Sequence, residues 1–411
     1  MTKVRNILDY SKFLPKFAQN KLFMKILFLV YHGFSEVSGI SKKIHYQVKG
    51  LRENGYEVHL CYYDFDANGH RCRFVDDDII KDYGTGMIAG LRQRIDLDCV
   101  YEYCKNNGIE FVYARCFQNA SPFLISFFKK LKKLGIKSVT EIPTYPYDSE
   151  FSPHIWKQPS HFVLDKWFRR SLYRYMDAIV TFSDATEIFG QRTINISNGV
   201  DFDSIPLHQY QQPADDSINL VGVAEVHIWH GYDRLIAGLG EYYLHSVNPR
   251  QVFFHIVGGV HPNERYKANA FHPGLQVIID KYGIQDKIIF HGQLFGDELD
   301  KVFNISCFAI GSLARHRSGI TVIKTLKNRE YATRGIPFIY SEQDSDFDNH
   351  PYVLKAPADE TPIDIQQIVN FIDHFTIGPS EIRKTVEHLT WKIQMQKVIN
   401  QLLHNYYNFE T

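Results

Sequence analysis

KILFLVYHGFSEVSGISKKIHYQVKGLRENGYEVHLCYYD (residues 25–64) decides the fold class. KILFLVY is a short, unbroken apolar run, the pattern of a strand buried on both faces. A polar loop, HGFSEVSG, follows. Ile40, Ile44, Val48 and Leu51 then recur at helical spacing, and Gly55 closes that segment. YEVHLCYYD is a second strand. Strand, loop, helix, strand is the unit of a parallel sheet, because parallel neighbours need a crossover connection.

Working outward, the alternation continues. EFVYARC (110–116), IKSVTEIPTY (136–145) and AIVTFSD (178–184) contain strands, with the helical pattern FLISFFKKLKKLG between the first two. FDSIPLHQYQQPADDS (202–217) has two prolines and no period, so it reads as a linker. A second alternation follows, with strands INLVGVAE, VFFHIVGG, IIFHG, CFAIGSL and PFIYS. The division expected is an extension 1–24, a first α/β domain 25–204, a linker 205–216, a second α/β domain 217–385, and a C-terminal helix 386–411 packing back toward the first domain. A chain of 411 residues has room for about two or three domains of typical size. Ligands of open parallel sheets sit at the carboxyl ends of the strands, so the space between two such domains is the expected site.

Composition narrows the class. Apolar residues make up 44% of the chain, which is globular, and 46 basic residues balance 46 acidic ones, so no global field points to nucleic acid. The six cysteines at 61, 72, 99, 104, 116 and 307 form no C-x-x-C pair and no disulfide framework, which suits a reducing cytoplasm. No run approaches the roughly 18 apolar residues of a membrane span. The basic N-terminal stretch lacks the apolar core of a signal peptide. Residues 1–23 read either as a basic helix lying on a surface or as an extension before the first strand, with Met24 an alternative start. FFKKLKKLG (127–135) and KWFRRSLYRY (166–175) are further basic, aromatic segments suited to anionic lipid, or else exposed lysines flanking a core stripe.

Several segments, in order, carry a resemblance. They are SGISKKIHYQVKGLRENGYEVHL, DAIVTFSD, ISNGVD, HGYDRLIAGL (230–239), HIVGG (255–259), KIIFHGQLFGDELDKVF (287–303) and REYATRGIPF (329–338). Together they resemble the GT-B glycosyltransferases, and within them family 4, the retaining enzymes that use nucleotide sugars (glycosyl transferases group 1). The resemblance implies an α/β chain of two Rossmann-like domains facing across a cleft. It also implies sugar transfer from a nucleotide-sugar donor to a glycan or lipid-linked acceptor, in bacterial surface polysaccharide synthesis at the inner face of the membrane. The reaction implied passes through a loose, oxocarbenium-like transition state and needs no cofactor, metal or covalent nucleophile.

The site residues follow from the same motifs. In TLKNREYATRGIPF (325–338), Ile323, Leu326 and Glu330 share a helical stripe, so a carboxylate falls on what reads as the core face. The resemblance makes Glu330 the acceptor of the donor's ribose hydroxyls, with Lys327 on the same face holding it charged. RHRSGIT (315–321) reads as the lead-in to that helix, with Gly319 and Arg317 at an anion-binding helix start. Gly39 ends the first loop before a helix and is a phosphate-approach candidate. His230 stands where the family has a phosphate-facing Lys, with a charge expected to follow pH, and Arg234 is a candidate beside it. Ala224 occupies the place of the family's upstream Arg, and Val322 that of a first Glu eight residues before Glu330. Glu141 and Tyr145, in TEIPTYPY, are strand-end candidates for acceptor or sugar contact, with Glu141 and His230 the catalytic candidates. The acidic runs VDDDI (75–79) and DSDFDN (344–349) read as solvated loops and not as metal sites; the second lacks the Gly and terminal Glu of a calcium loop. Two other readings stay open: a nucleotide-sugar epimerase of the same fold, and a non-catalytic nucleotide-sugar-binding homologue.

Overall fold

The computed structural model describes residues 24–34, 39–115, 120–148, 159–266 and 273–407. The basic segment 1–23 and Cys116 lie outside them. The chain forms two compact units. One comprises residues 1–143, 155–196 and 391–411; the other comprises 144–154 and 197–390. The contact boundary thus falls at Ile196/Ser197, and residues 205–216 belong to the second unit. His208, in the middle of that stretch, is buried, donates its backbone N–H to Arg334 O, and sets its Nε2 3.0 Å from Phe303 O.

The first unit contains β1 (Lys25–Leu29), α1 (Gly39–Glu53), β2 (Glu57–Phe65), β3 (Arg71–Val75), β4 (Asp78–Asp82), α2 (Gly86–Ile95), α3 (Asp98–Asn106), β5 (Phe111–Arg115), α4 (Pro122–Lys133), β6 (Lys137–Ile142), α5 (Pro159–Tyr173), β7 (Ala178–Thr181), β8 (Glu187–Ile188) and β9 (Gln191–Asn195). Its sheet runs β4-β3-β2-β1-β5-β6-β7-β9-β8. The pairs from β2 to β9 are parallel, while β3–β4 is an antiparallel hairpin added to one edge and β8 a short antiparallel strand at the other. The opening stretch is therefore β1-α1-β2. Its helix stripe is one turn shorter than its spacing predicts: Ile44, Val48 and Leu51 are buried, but Ile40 is 49% exposed. That stripe packs on the C-terminal helix Trp391–Tyr407, whose Trp391, Met395, Val398, Ile399 and Leu402 enter the same core. Gly50 permits the contact, since a Cβ there would lie 2.7 Å from the Trp391 carbonyl carbon.

The second unit continues with β10 (Ile218–Val223), α6 (Tyr232–His245), β11 (Val252–Val257), α7 (Pro262–Tyr266), α8 (Leu275–Tyr282), β12 (Ile288–Gly292), α9 (Gly296–Ile305), β13 (Phe308–Ile310), α10 (Leu326–Arg334), β14 (Phe338–Tyr340), β15 (Val353–Lys355), α11 (Ile365–His374) and α12 (Pro379–Thr385). All its paired strands are parallel, in the order β12-β11-β10-β13-β14-β15. Two apolar clusters cover the sheet. One is built on α6, α8 and α11, the other on α9, α10 and α12.

Candidate functional site

Strand order locates the candidate site within the second unit. The chain winds outward from β10 to β11 and β12, then crosses back to place β13 on the other side of β10. That reversal opens a crevice beyond the carboxyl ends of β10 and β13. Three segments emerge there: residues 224–231 after β10, 311–325 after β13, and those from 341 onward after β14.

The first segment closes in a 3₁₀ turn, Ile228–His230, before α6. The His227 N–H donates to His230 Nδ1 at 2.9 Å. With Nδ1 accepting, the neutral ring carries its proton on Nε2. Burial, then the charges of Lys327 and Arg315, hold the His230 pKa well below its usual 6.5. His230 is thus a neutral N–H donor at physiological pH, which corrects the expected pH-dependent charge. The His230 carbonyl accepts from Leu313 N at 2.9 Å, tying the turn to the loop after β13. Gly231 makes that approach possible: its φ is +63°, and a Cβ would lie 2.9 Å from that of Ala314.

The second element is α10. Thr325 occupies its N-cap position without capping it; the hydroxyl is buried and has no hydrogen-bond partner. The helix start therefore keeps open N–H groups and a positive dipole end. Lys327, in the first turn, is partly buried, and its Nζ is enclosed beneath this point, 5.9 Å from the centre of the Tyr232 ring and without a hydrogen-bond partner. Burial, reinforced by Arg315, brings its pKa down to about 7. Glu342, two residues beyond β14, is 2% exposed, and neither carboxylate oxygen has a partner. Burial raises its pKa to about 7. The Ser312 hydroxyl and the Asn328 side-chain amide are also buried and open. Native interiors satisfy nearly all such groups. This many open polar atoms at one strand-end crevice mark it as the candidate site.

Glu330 lies farther along α10 and is 29% exposed at its side chain. Its partner is Arg334, one turn on, at 3.0 Å to Oε1, and not Lys327 as expected. Arg334 also holds Asp300 at 2.7 Å and lies over the Phe303 ring. The expected stripe is inverted. Ile323 precedes the helix, Leu326 is 40% exposed, and the buried face carries Asn328, Arg329, Tyr331, Ala332, Thr333 and Arg334. Arg329 anchors that face. It donates to both oxygens of Asp344, at 2.7 and 3.0 Å, and to Asp346 and Ser197. DSDFDN is therefore a buried ion-pair loop at its first two acids, not the solvated loop its composition suggests.

The other candidates divide. Gly319 caps a separate 3₁₀ turn, Arg315–Ser318, and the helix begins seven residues later, so Gly319 is not at its N-terminus. Arg317 is consumed by Asp233, at 3.0 and 2.7 Å, and by Glu360. Arg234 is a buried strut, donating to Leu313 O, to Pro357 O at 3.1 Å, to Thr361 O at 2.8 Å and to Asp359. Both are corrected from phosphate ligands to supports of the loop. In the first unit, Gly39 is the exposed first residue of α1. Glu141 is completely buried, accepting from Gln47 at 2.6 Å and Tyr113 at 2.7 Å, with Lys43 Nζ 3.1 Å away. Burial raises the Glu141 pKa, but Lys43 and Arg115 outweigh it and hold the group at about 2. It is a core ion pair, not an exposed strand-end acid. Tyr145, half-buried, precedes cis Pro146 in the turn after β6. The FFKKLKKLG stripe packs Phe127, Phe128 and Leu131 inward with its lysines outward, whereas Trp167 in the second basic segment is 75% exposed. No helix among the described residues is long and apolar enough to cross a membrane, and no cluster of metal-ligating residues occurs among them.

No family model and no curated protein matches this sequence. Solved structures do match it. Anabaena HepE in complex with UDP-glucose superposes with a TM-score of 0.53 at 14% identity, over 94% of this chain and all of that one. Starch synthase IV of Arabidopsis thaliana, bound to ADP and acarbose, gives 0.58 at 10% identity over 93% and 99%. A Listeria monocytogenes protein assigned as UDP-N-acetylglucosamine 2-epimerase gives 0.52 at 8% over 94% and 97%. The chain has the GT-B fold. At these identities the likeness is one of fold. Within this GT-B chain, Glu342 and the Arg329 network are the parts of the site that motif reading missed. Glu342 follows directly on the apolar run PFIYS, so its place at a strand's carboxyl end was the available signal.

Proposed function

We propose that this chain is a glycosyltransferase that takes a sugar from a nucleotide-sugar donor bound in the second unit. The observation that carries the reading is the anion-ready crevice beneath the α10 N-terminus, with an acceptor carboxylate, Glu330, farther along the same helix. The diphosphate accepts from the open N–H groups, Lys327 Nζ and His230 Nε2–H. Glu330 Oε2, which Arg334 leaves open, accepts a ribose hydroxyl. Protonation of Lys327 on binding supplies the cation that the leaving diphosphate needs. The reading extends to retention of configuration, a glycan or lipid-linked acceptor, surface polysaccharide synthesis, and a cytoplasmic protein at the inner membrane face. Exposed Trp167 among the basic residues of α5 supports the last of these. Tyr145 remains the acceptor candidate.

A second reading, a nucleotide-sugar epimerase, is favoured by one arrangement: the buried, open carboxylate of Glu342 and the enclosed amine of Lys327 share one crevice, where burial raises the carboxyl pKa and lowers that of the amine, as acid and base groups need. Incubation with UDP-, ADP- and GDP-sugars separates the readings. Nucleoside diphosphate released only with acceptor supports transfer, and sugar interconversion without acceptor supports epimerisation. Binding without turnover leaves a non-catalytic homologue. Glu330→Ala is expected to abolish nucleotide-dependent thermal stabilisation while the fold survives, and equal stabilisation in both proteins refutes the ribose contact.

A further inference from the structure

We propose that Glu342 reads the hydroxyl groups of the sugar portion of the ligand, making it the specificity-determining carboxylate of the pocket; this rests on the donor-site reading above.

The backbone around Glu342 is held in place. Ser341 N donates to Ser312 O at 2.9 Å, Gln343 N to Thr321 O at 2.7 Å, and Gln343 O accepts from Ile323 N at 3.0 Å. Lys355 Nζ donates to the Glu342 carbonyl. The position is thus fixed by four bonds that leave the side chain free. That side chain is buried with both oxygens open, although cations lie near. Lys327 and Arg315 both favour its charged form electrostatically, yet no ion pair within 4.0 Å joins it to either. A carboxylate serving the fold would close on one of them, as Glu141 does on Lys43 at 3.1 Å. A buried pair of acceptor oxygens held off from nearby cations is complementary to hydroxyl donors, and two oxygens match two adjacent hydroxyls.

Position adds a second argument. The Val322–Gln343 bridge ties the loop after β13 to the segment that carries Glu342. Among the described residues, Glu342 is the one carboxylate in the set of buried open groups at these strand ends. The sugar, joined to the diphosphate that Lys327 faces, extends toward it.

The test is isothermal titration of the full chain with UDP, ADP and GDP, and with UDP-glucose, ADP-glucose and GDP-mannose. Glu342→Ala is expected to weaken the bound nucleotide sugar at least ten-fold and to change the matching nucleoside diphosphate less than two-fold. Glu342→Gln, which keeps the shape, carries the test if the alanine variant does not fold, with the same sugar-selective loss. Equal losses for nucleotide and nucleotide sugar, or no loss, overturn the assignment while leaving the donor-site reading intact. Wild-type protein that binds none of the six overturns both.

Discussion

The structure puts the most weight on Arg329, and Arg329→Met tests that. The guanidinium is fully buried and neutralises Asp344, itself 0% exposed, through two bonds of 2.7 and 3.0 Å. Methionine keeps the volume of the stem and removes the charge. Asp344 then has two choices. It stays ionised without a partner, a loss of about 3–5 kcal/mol. Or it takes a proton, which at pH 7 costs about 1.36 × (7 − 3.9), or about 4 kcal/mol. The two routes agree on about 4 kcal/mol at pH 7, and the protonation route falls to about 1.5 kcal/mol at pH 5. The sign is fixed: the variant's Asp344 has a raised folded pKa, so the variant loses stability as pH rises above about 4. Asp346 acts in the same direction. In the wild type burial raises its pKa, but Arg329 and Lys324 outweigh that and lower it below 3.8; the variant leaves it Lys324 and Ser197, so its loss also grows as pH rises. Urea unfolding followed by far-ultraviolet circular dichroism, at pH 5 and pH 7, measures both numbers. A loss under about 1 kcal/mol at pH 7, or the same loss at both pH values, refutes the reasoning. Adding Asp344→Asn should recover more than half of the loss, because the stranded charge leaves with its partner.

Three further outcomes are expected. Lys327→Met should raise the melting temperature of the nucleotide-free protein at pH 7 while weakening nucleotide binding. The depressed amine costs stability fully below about 7 and no longer above its ordinary 10.5, so the advantage should shrink between pH 7 and pH 10 in thermal scans. Gly231→Ala, forced into φ +63° and against Ala314, should lose about 1–3 kcal/mol in urea titrations, with Gly39→Ala, which meets nothing within 4 Å, as the unaffected control. Glu141→Gln should cost about 3 kcal/mol at pH 7, since moving a pKa from 4.5 to about 2 stores that much. That contribution is present above about 4.5 and lost as pH falls through 2; nucleotide affinity by calorimetry should stay within two-fold, and a larger drop would return Glu141 to the site.

The strand–helix alternation was legible because parallel strands buried on both faces must be continuous apolar runs. KILFL and VFFHIV obey that rule, and their helices show the complementary stripe. The hairpin β3–β4 was not legible for the converse reason. RCRFV and DIIKD sit at a sheet edge, where charged residues are tolerated and blunt the signal. DSDFDN was misread because the cation that buries it, Arg329, lies fifteen residues upstream on another element. Nothing in a run of acids states whether a guanidinium will fold over it.

The same limit explains α10, and there it bears on function. An apolar stripe predicts the buried face of a helix only when apolar contact is what holds the helix. This helix puts Tyr331 and Ala332 into the apolar core, but it is also held by Arg329 on one side and by Arg334, braced against Asp300, on the other. Ion pairs can therefore face inward and Leu326 outward without loss. The apolar contacts of the helix are confined to Tyr331 and Ala332 in its later turns, and Thr325, Lys327 and Asn328, at its start, keep open polar atoms. An anion site needs open donors, and a well-packed apolar face would have covered them. On the proposed donor-site reading, the break in the expected pattern and the site are one feature: the polar anchoring of α10 lets its N-terminus keep open donors for an anionic ligand.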